Sequence, residues 1–157
     1  MNTVLVTGGF DPIHKGHIEY LKYAKELGDK LIVGLNSDHW LTRKKGQPFM
    51  DLENRAMVIQ SLNMVDEVII FNDEDNTANH AIHQVLQHHD NVIFANGGDR
   101  IKSFVPEYEK YKNDERVKFV FNVGGEKTES SSWLLDKWKS PKTIRKWGYY
   151  KDLYLGE

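Results

Sequence analysis

The 157-residue sequence contains no cysteine, which excludes a disulfide framework, a thiolate zinc site and a cysteine nucleophile. No apolar run approaches the roughly 20 residues needed to cross a bilayer. The opening, Met-Asn-Thr-Val-Leu-Val, lacks the charged and apolar regions of a secretory signal. Charge of one sign is not in excess either. Lys and Arg number 21 against 23 Asp and Glu, a formal net charge of −2, which argues against a generally basic nucleic-acid binder. No internal repeat or low-complexity segment is visible. These absences point to a cytoplasmic globular domain that engages neither nucleic acid nor membrane. The rest is ordinary: 39% hydrophobic and 28% charged residues, in a length that suits one domain and buries a core unaided.

Short apolar runs alternate with longer amphipathic stretches. Residues 3–7 read as a buried strand. Residues 15–27 follow with helical spacing at Ile18, Leu21, Ala24 and Leu27, and Gly28 is the expected C-cap. Residues 31–35 form a second strand, and Asp51 stands where it would N-cap a helix through Leu62. Strands at 68–71, 92–95 and 117–123 complete a set of five, with helices expected over 76–89 and 130–138. This alternation predicts an α/β fold, a doubly wound parallel five-stranded sheet with helices on both faces. Ligands in such sheets bind beyond the carboxyl ends of the strands, where strand order reverses. The unusual residues do follow strands: Gly8-Gly9-Phe10-Asp11 the first, Asn36-Ser37-Asp38 the second, Asn96-Gly97-Gly98-Asp99 the fourth. Residues 1–138 read as the domain. Residues 139–157 differ in composition, and three of the four tryptophans lie at or beyond Trp133.

The strongest feature is the run from Gly8 to His17, which leaves a buried strand and enters a helix. Its glycines allow tight turns and close approach of a phosphate. The helix start supplies N–H groups and a favourable dipole for an anion. His14 and His17, three residues apart, can address one phosphate from that entrance, donating hydrogen bonds or, when protonated, neutralising charge. The spacing of a dinucleotide-binding loop is absent, and so is the Gly-Lys-Ser/Thr of a P-loop.

His14-Lys15-Gly16-His17, preceded by Gly9-Phe10-Asp11, resembles the His-x-Gly-His signature of the nucleotidylyltransferase superfamily in its cytidylyltransferase-like branch. The similarity continues through residues 27–38, Arg55, 65–68, Gly97-Gly98-Asp99 and Ser130-Ser131-Ser132. The sequence resembles the heptose-1-phosphate adenylyltransferases and the glycerol-3-phosphate cytidylyltransferases. Residues 71–77 and 97–99 are more similar to the heptose group. Where glycerol-phosphate enzymes carry an Arg-Thr-Glu-Gly stretch, this chain has Gly125-Glu126-Lys127-Thr128-Glu129, without the arginine.

The resemblance implies a Rossmann-like fold and transfer of a nucleoside monophosphate from ATP, or alternatively CTP, to a phosphorylated sugar or polyol, with release of pyrophosphate. It implies that His14 and His17 engage the triphosphate, with His17 nearest the α-phosphate. Lys45, or its neighbour Lys44, would reach from the loop after the second strand to bridge the two phosphates. Arg55 would act in catalysis or on the substrate phosphate, with Asp38 also on the substrate; a structural salt bridge is the competing reading of Arg55. Gly8, Gly9, Phe10, Asp11, Gly16, Gly97, Gly98, Asp99, Thr128, Ser130, Ser131 and Ser132 would bind the nucleotide. For Ser130 simple N-capping is the alternative. Mg²⁺ would accompany the triphosphate, with no dedicated protein metal site. His80, His83, His88 and His89 read as surface positions, since a metal there lacks a third ligand. A homodimer is implied by resemblance. Residues 144–153 are similar to the opening of the cupin domain of mannose-6-phosphate isomerase-like proteins; the favoured reading of 139–157 is an aromatic arm. A rival from another class is a nucleotide-binding module without turnover, and a nucleotide-dependent oxidoreductase is disfavoured by the missing fingerprint.

Overall fold

The computed structural model describes residues 1–98, 100, 105–125 and 129–139. Asp99, Thr128 and the stretch 140–157 lie outside the described residues. In chain order the elements are β1 (Thr3–Gly8), α1 (Lys15–Glu26), β2 (Lys30–Leu35), α2 (Asp38–Lys45), α3 (Leu52–Gln60), β3 (Glu67–Ile70), α4 (Asn79–Leu86), β4 (Val92–Gly97), α5 (Pro106–Tyr111), β5 (Val117–Val123) and α6 (Ser131–Lys139).

All strand pairings are parallel, in the order β3-β2-β1-β4-β5. The chain winds outward from β1 to β3, then returns to place β4 on the other side of β1. Strand order therefore reverses between β1 and β4, and the loops leaving these two strands diverge there. In register, Val4 lies opposite Leu31 on β2 and Ile93 on β4. Val4, Leu5 and Val6 are all fully buried, as a strand covered on both faces requires. Leu5 joins Phe94 of β4, Ile82 and Val85 of α4 and Tyr111 of α5 on one face. Val4 and Val6 join Leu21 and Ala24 of α1 and Ile59 of α3 on the other. The expected five-stranded, doubly wound sheet is what the chain forms.

Local chemistry sets the helix ends. Asp51 N-caps α3 by accepting from the Asn54 N–H at 3.0 Å, as its position predicted. Three expectations need correction. The C-cap of α1 is Leu27, not Gly28. Gly28 is small because the chain crosses itself there: a Cβ would stand 2.7 Å from the Asn2 carbonyl oxygen and 2.8 Å from Val4 Cγ2. Residues 38–45, read as loop, form α2, capped by the Ser37 hydroxyl on Trp40 N–H at 3.0 Å and ended by Gly46 at φ 95°. Its mostly polar sequence hides it, since Leu41 is its only buried residue. Helix α5 also went unanticipated; it opens on Pro106, which suits a first helical turn. No helix among the described residues is long and apolar enough to cross a membrane.

Replacing Gly28 with alanine is expected to force β1 and the α1–β2 turn apart. A loss of about 1–3 kcal/mol, typical of overpacking, should appear in urea unfolding with no change in slope. An unchanged midpoint would contradict the close approach.

Candidate active site

A cleft of about 620 Å³ opens where the loops after β1 and β4 diverge. The loop 8–17 forms its floor. Trp40, Lys44 and Lys45 of α2 and the turn 76–78 form one side. Gly97 and Gly98 after β4, Gly124 and Gly125 after β5, and Ser130 to Ser132 at the start of α6 form the other.

The two histidines of the floor are built into the start of α1. His14 is the N-cap, and its Nδ1 accepts from the Gly16 N–H at 3.1 Å. Reciprocally, Nδ1 of His17 accepts from the His14 N–H at 3.2 Å. This is a capping box made with imidazoles instead of a hydroxyl and a carboxylate. Because each Nδ1 is an acceptor, the proton of each neutral ring resides on Nε2. The rings stack with centroids 3.8 Å apart and planes 22° from parallel. Gly16 makes this possible: a Cβ there would lie 3.0 Å from His14 Cε1 and 3.1 Å from its Nδ1. Phe10 supports the pair from below, edge-on to His17 at 4.9 Å. Its backbone takes φ 52°, a left-handed conformation that costs a bulky residue about 1–3 kcal/mol. Its burial under Gly8 offsets this, and a Cβ on Gly8 would press on the Phe10 ring at 3.1 Å.

Asp11 borders the cleft, yet both its carboxylate oxygens are taken: Oδ2 by the Phe49 N–H at 2.7 Å and Oδ1 by the Met50 N–H at 2.6 Å. It ties the loop before α3 to the first loop. Arg55 and Asp38 are not in the cleft lining. Arg55 is completely buried. Its Nε donates to the Met50 carbonyl, Nη1 to the carbonyls of Gly9 and Asn36, and Nη2 to Asp38 at 2.7 Å. Four of its five N–H donors are thus spent on the protein in one clamp, the arrangement that the competing reading of Arg55 as a structural salt bridge expects. Asp38 serves the same clamp and also accepts from the Leu52 N–H.

Both lysines reach the cleft from the last turn of α2 rather than from a loop. Lys45 rests its ammonium on the Asp11 carbonyl at 2.7 Å. Lys44 lies 4.7 Å from the centre of the Trp40 ring, a cation–π distance. Gly8, Gly9, Phe10, Gly16, Gly97 and Gly98 all line the cleft. Gly98 must be glycine, since a Cβ would fall 2.3 Å from the Gly125 carbonyl oxygen. Ser130 N-caps α6, accepting from the Trp133 N–H at 3.3 Å. Ser131 donates to the Pro12 carbonyl at 2.7 Å, tying α6 to the first loop.

Several lining residues carried no sequence signal. Trp40, Arg100 and Glu107 sit outside the recognised motifs, while Asn76 and Thr77 end the heptose-like segment 71–77. Tyr20 could have been found by helical spacing from His17, and its hydroxyl donates to the Ala95 carbonyl. Asp73, 3% exposed, accepts from Asn36 Nδ2 and from both the N–H and hydroxyl of Ser37. It holds the end of β2 beside α2. At the rim, the Thr77 N–H and hydroxyl both donate to Asp75, which holds that carboxyl below its usual range. His80 and His83 are exposed, and no group of three His, Asp or Glu suited to a metal occurs among the described residues.

Residues 5–144 match the family model described as cytidylyltransferase-like. The bifunctional protein HldE of Campylobacter concisus (strain 13826) is 49% identical over 78 residues, covering 48% of this chain and 16% of that protein. HldE of Haemophilus influenzae (strain PittGG) is 41% identical over 98 residues, covering 61% and 19%. The match thus spans less than a fifth of these curated relatives. Among solved structures, the lipopolysaccharide core biosynthesis protein from Thermoplasma volcanium GSS1 is similar with a TM-score of 0.63. It is 30% identical, and the alignment covers 82% of this chain and 99% of that one.

Substituting Arg55 with methionine should strand three carbonyls and Asp38 together. The expected loss is at least about 3 kcal/mol of unfolding free energy, read by chemical denaturation. A variant of undiminished stability would refute the clamp.

Proposed function

The chain belongs to the cytidylyltransferase-like family, and from that premise we propose that it transfers a nucleoside monophosphate from a triphosphate to a phosphorylated sugar or polyol. The observation that carries this reading is the stacked pair His14 and His17, held at the start of α1 with each Nδ1 accepting a backbone N–H and facing the serines of α6 across one cleft. Similarity to a lipopolysaccharide core biosynthesis protein supports a sugar acceptor, and the heptose-like segments at 71–77 and 97–99 support ATP as donor. The transfer chemistry is assigned to residues 1–138, and the reaction is placed in the cytoplasm with a homodimer as the working unit.

In this reading a phosphate oxygen of the acceptor attacks the α-phosphorus in line. A new P–O bond forms as the bond to the bridging α–β oxygen breaks, and pyrophosphate leaves with that electron pair. The attacking phosphate is ionised near neutral pH, so no strong general base is required. The protein's part is positioning and charge stabilisation. The Nε2–H groups of His14 and His17 donate to the triphosphate, His17 to the α-phosphoryl oxygens where charge accumulates. The Gly9 and Phe10 backbone lines the same floor, and Lys45 draws the attacking and transferred phosphates together. The N-terminal end of α6, with Ser131 and Ser132, faces the leaving phosphates. Mg²⁺ arrives with the triphosphate as part of the substrate.

Pyrophosphate release from each of the four nucleoside triphosphates, with a panel of sugar and polyol phosphates, tests the reading. ATP with a sugar 1-phosphate should be most active. Nucleotide binding without turnover under every condition would leave a binding module instead. His17→Ala is expected to lower kcat at least about a hundredfold, because the lost hydrogen bond acts in the transition state, while the melting temperature falls only by the few degrees that loss of its half of the capping box brings. Lys45→Ala should also cripple kcat while Lys44→Ala is milder; the reverse order would transfer the bridging role to Lys44.

A further inference from the structure

Glu107, in the first turn of α5, is 1% exposed and lines the cleft. Its Oε1 accepts from Arg100 Nη2 at 2.8 Å. Its Oε2 is buried and has no hydrogen-bond partner among the described residues. Among the described residues the only other such side-chain atom is Asn79 Oδ1, and Asn79 does not line the cleft. A buried carboxylate oxygen left without a donor is costly, so at the edge of a ligand cleft it marks the place of a donor that the ligand brings.

The position of Glu107 says which part of the ligand that is. Across the strand order β2-β1-β4, Lys44 and Lys45 follow β2 while Arg100 and Glu107 follow β4, with the two histidines between them. The lysine side is cationic and suits phosphates. On the opposite side Glu107 is balanced by Arg100 and Glu129 also lines the wall, so the described residues there offer no excess positive charge with which to hold a phosphate. Its wall is Gly97, Gly98, Gly124 and Gly125, bare backbone against which a flat ring can lie. An uncharged group with N–H or O–H donors fits there: the nucleoside. Resting on the nucleotidyl-transfer reading, we propose that Glu107 is a specificity-determining residue that selects the nucleoside by accepting a hydrogen bond from its base or its ribose on Oε2. A ligand donor arriving there meets an acceptor already stripped of water, so the contact separates a matching group from a mismatched one more sharply than an exposed contact would.

Calorimetric binding of the full chain and of Glu107→Gln, with Mg²⁺ present, tests this. The probes are ATP, inosine triphosphate, CTP, UTP, 2′-deoxy-ATP, 3′-deoxy-ATP and inorganic tripolyphosphate. Affinity for the preferred nucleotide should fall about tenfold or more in the variant, while affinity for tripolyphosphate is unchanged. If the base is read, the wild-type preference for amino over oxo bases collapses in the variant. If the ribose is read, the wild-type penalty for a deoxy sugar collapses instead. Glu107→Asp, which keeps the charge but withdraws the oxygen by one methylene, should lose the same affinity and covers the case of a misfolded glutamine variant. Unchanged nucleotide selectivity, or an equal loss for tripolyphosphate, would overturn the proposal while leaving the transferase reading standing. A wild-type protein that binds neither nucleotides nor tripolyphosphate would overturn both.

Discussion

The guanidinium of Arg55 is the joint on which the cleft is assembled. Three backbone carbonyls converge on it, from Gly9 after β1, Asn36 after β2 and Met50 before α3, and Asp38 supplies the countercharge. No regular secondary structure can satisfy those carbonyls, because each lies where a strand has ended or a helix has not begun. A planar fork with several fixed donors can. A lysine ammonium, compact and strongly hydrated, could not meet the same carbonyls in the same plane. Asp11 works as the complement. Its carboxylate takes the Met50 N–H while Arg55 takes the Met50 carbonyl, so one peptide segment is gripped from both sides by buried charges. The histidine-bearing loop is therefore held by groups that never touch a ligand.

That rigidity matters for what the histidines can do. Their δ nitrogens are occupied as helix caps, so the rings are oriented before a ligand arrives and present the other nitrogen as donor. The sequence spacing allowed either neutral donors or cations; the capping geometry favours the former, since a protonated Nδ1 would face a backbone N–H. Stabilisation of charge then comes from fixed dipoles that need no reorganisation during reaction. The glycine between the histidines follows from the same geometry, because the first ring occupies the space of any Cβ at position 16.

Much of this was legible in the sequence and some was not, for physical reasons. The central strands were legible because short apolar runs buried on both faces stand out, as at Val4 to Val6, and the edge strand β5 because Val and Phe recur along it. The histidine loop was legible because its residue types and its place after a strand agree. Helix α2 was hidden because one buried residue, Leu41, leaves no apolar period to detect. The roles of Asp11, Asp38 and Arg55 in the scaffold could not be read from the sequence for a deeper reason. A charged residue near a motif looks the same whether it faces a ligand or a neighbouring backbone, and only tertiary structure shows which donors are spent. Glu107 gave no signal at all, since its meaning depends on Arg100 and on glycines from two other loops.

Charge is distributed unevenly across the cleft. Overall the chain is nearly neutral, so attraction for a polyphosphate cannot come from net charge and must come from local placement. The last turn of α2 concentrates Arg43, Lys44 and Lys45, and Asp73 and Asp38 behind it are committed to Ser37, Asn36 and Arg55. Lys44 and Lys45 therefore line the cleft, while Arg43 is held by the Asp73 carbonyl and Asn76 and the two carboxylates are turned into the scaffold. Beyond the histidines, Glu107 and Arg100 cancel each other. A ligand with one charged end and one uncharged end has only one favourable orientation in such a field, charged end toward α2. The central histidines then meet the junction between the two ends, which in a nucleoside triphosphate is the α-phosphate.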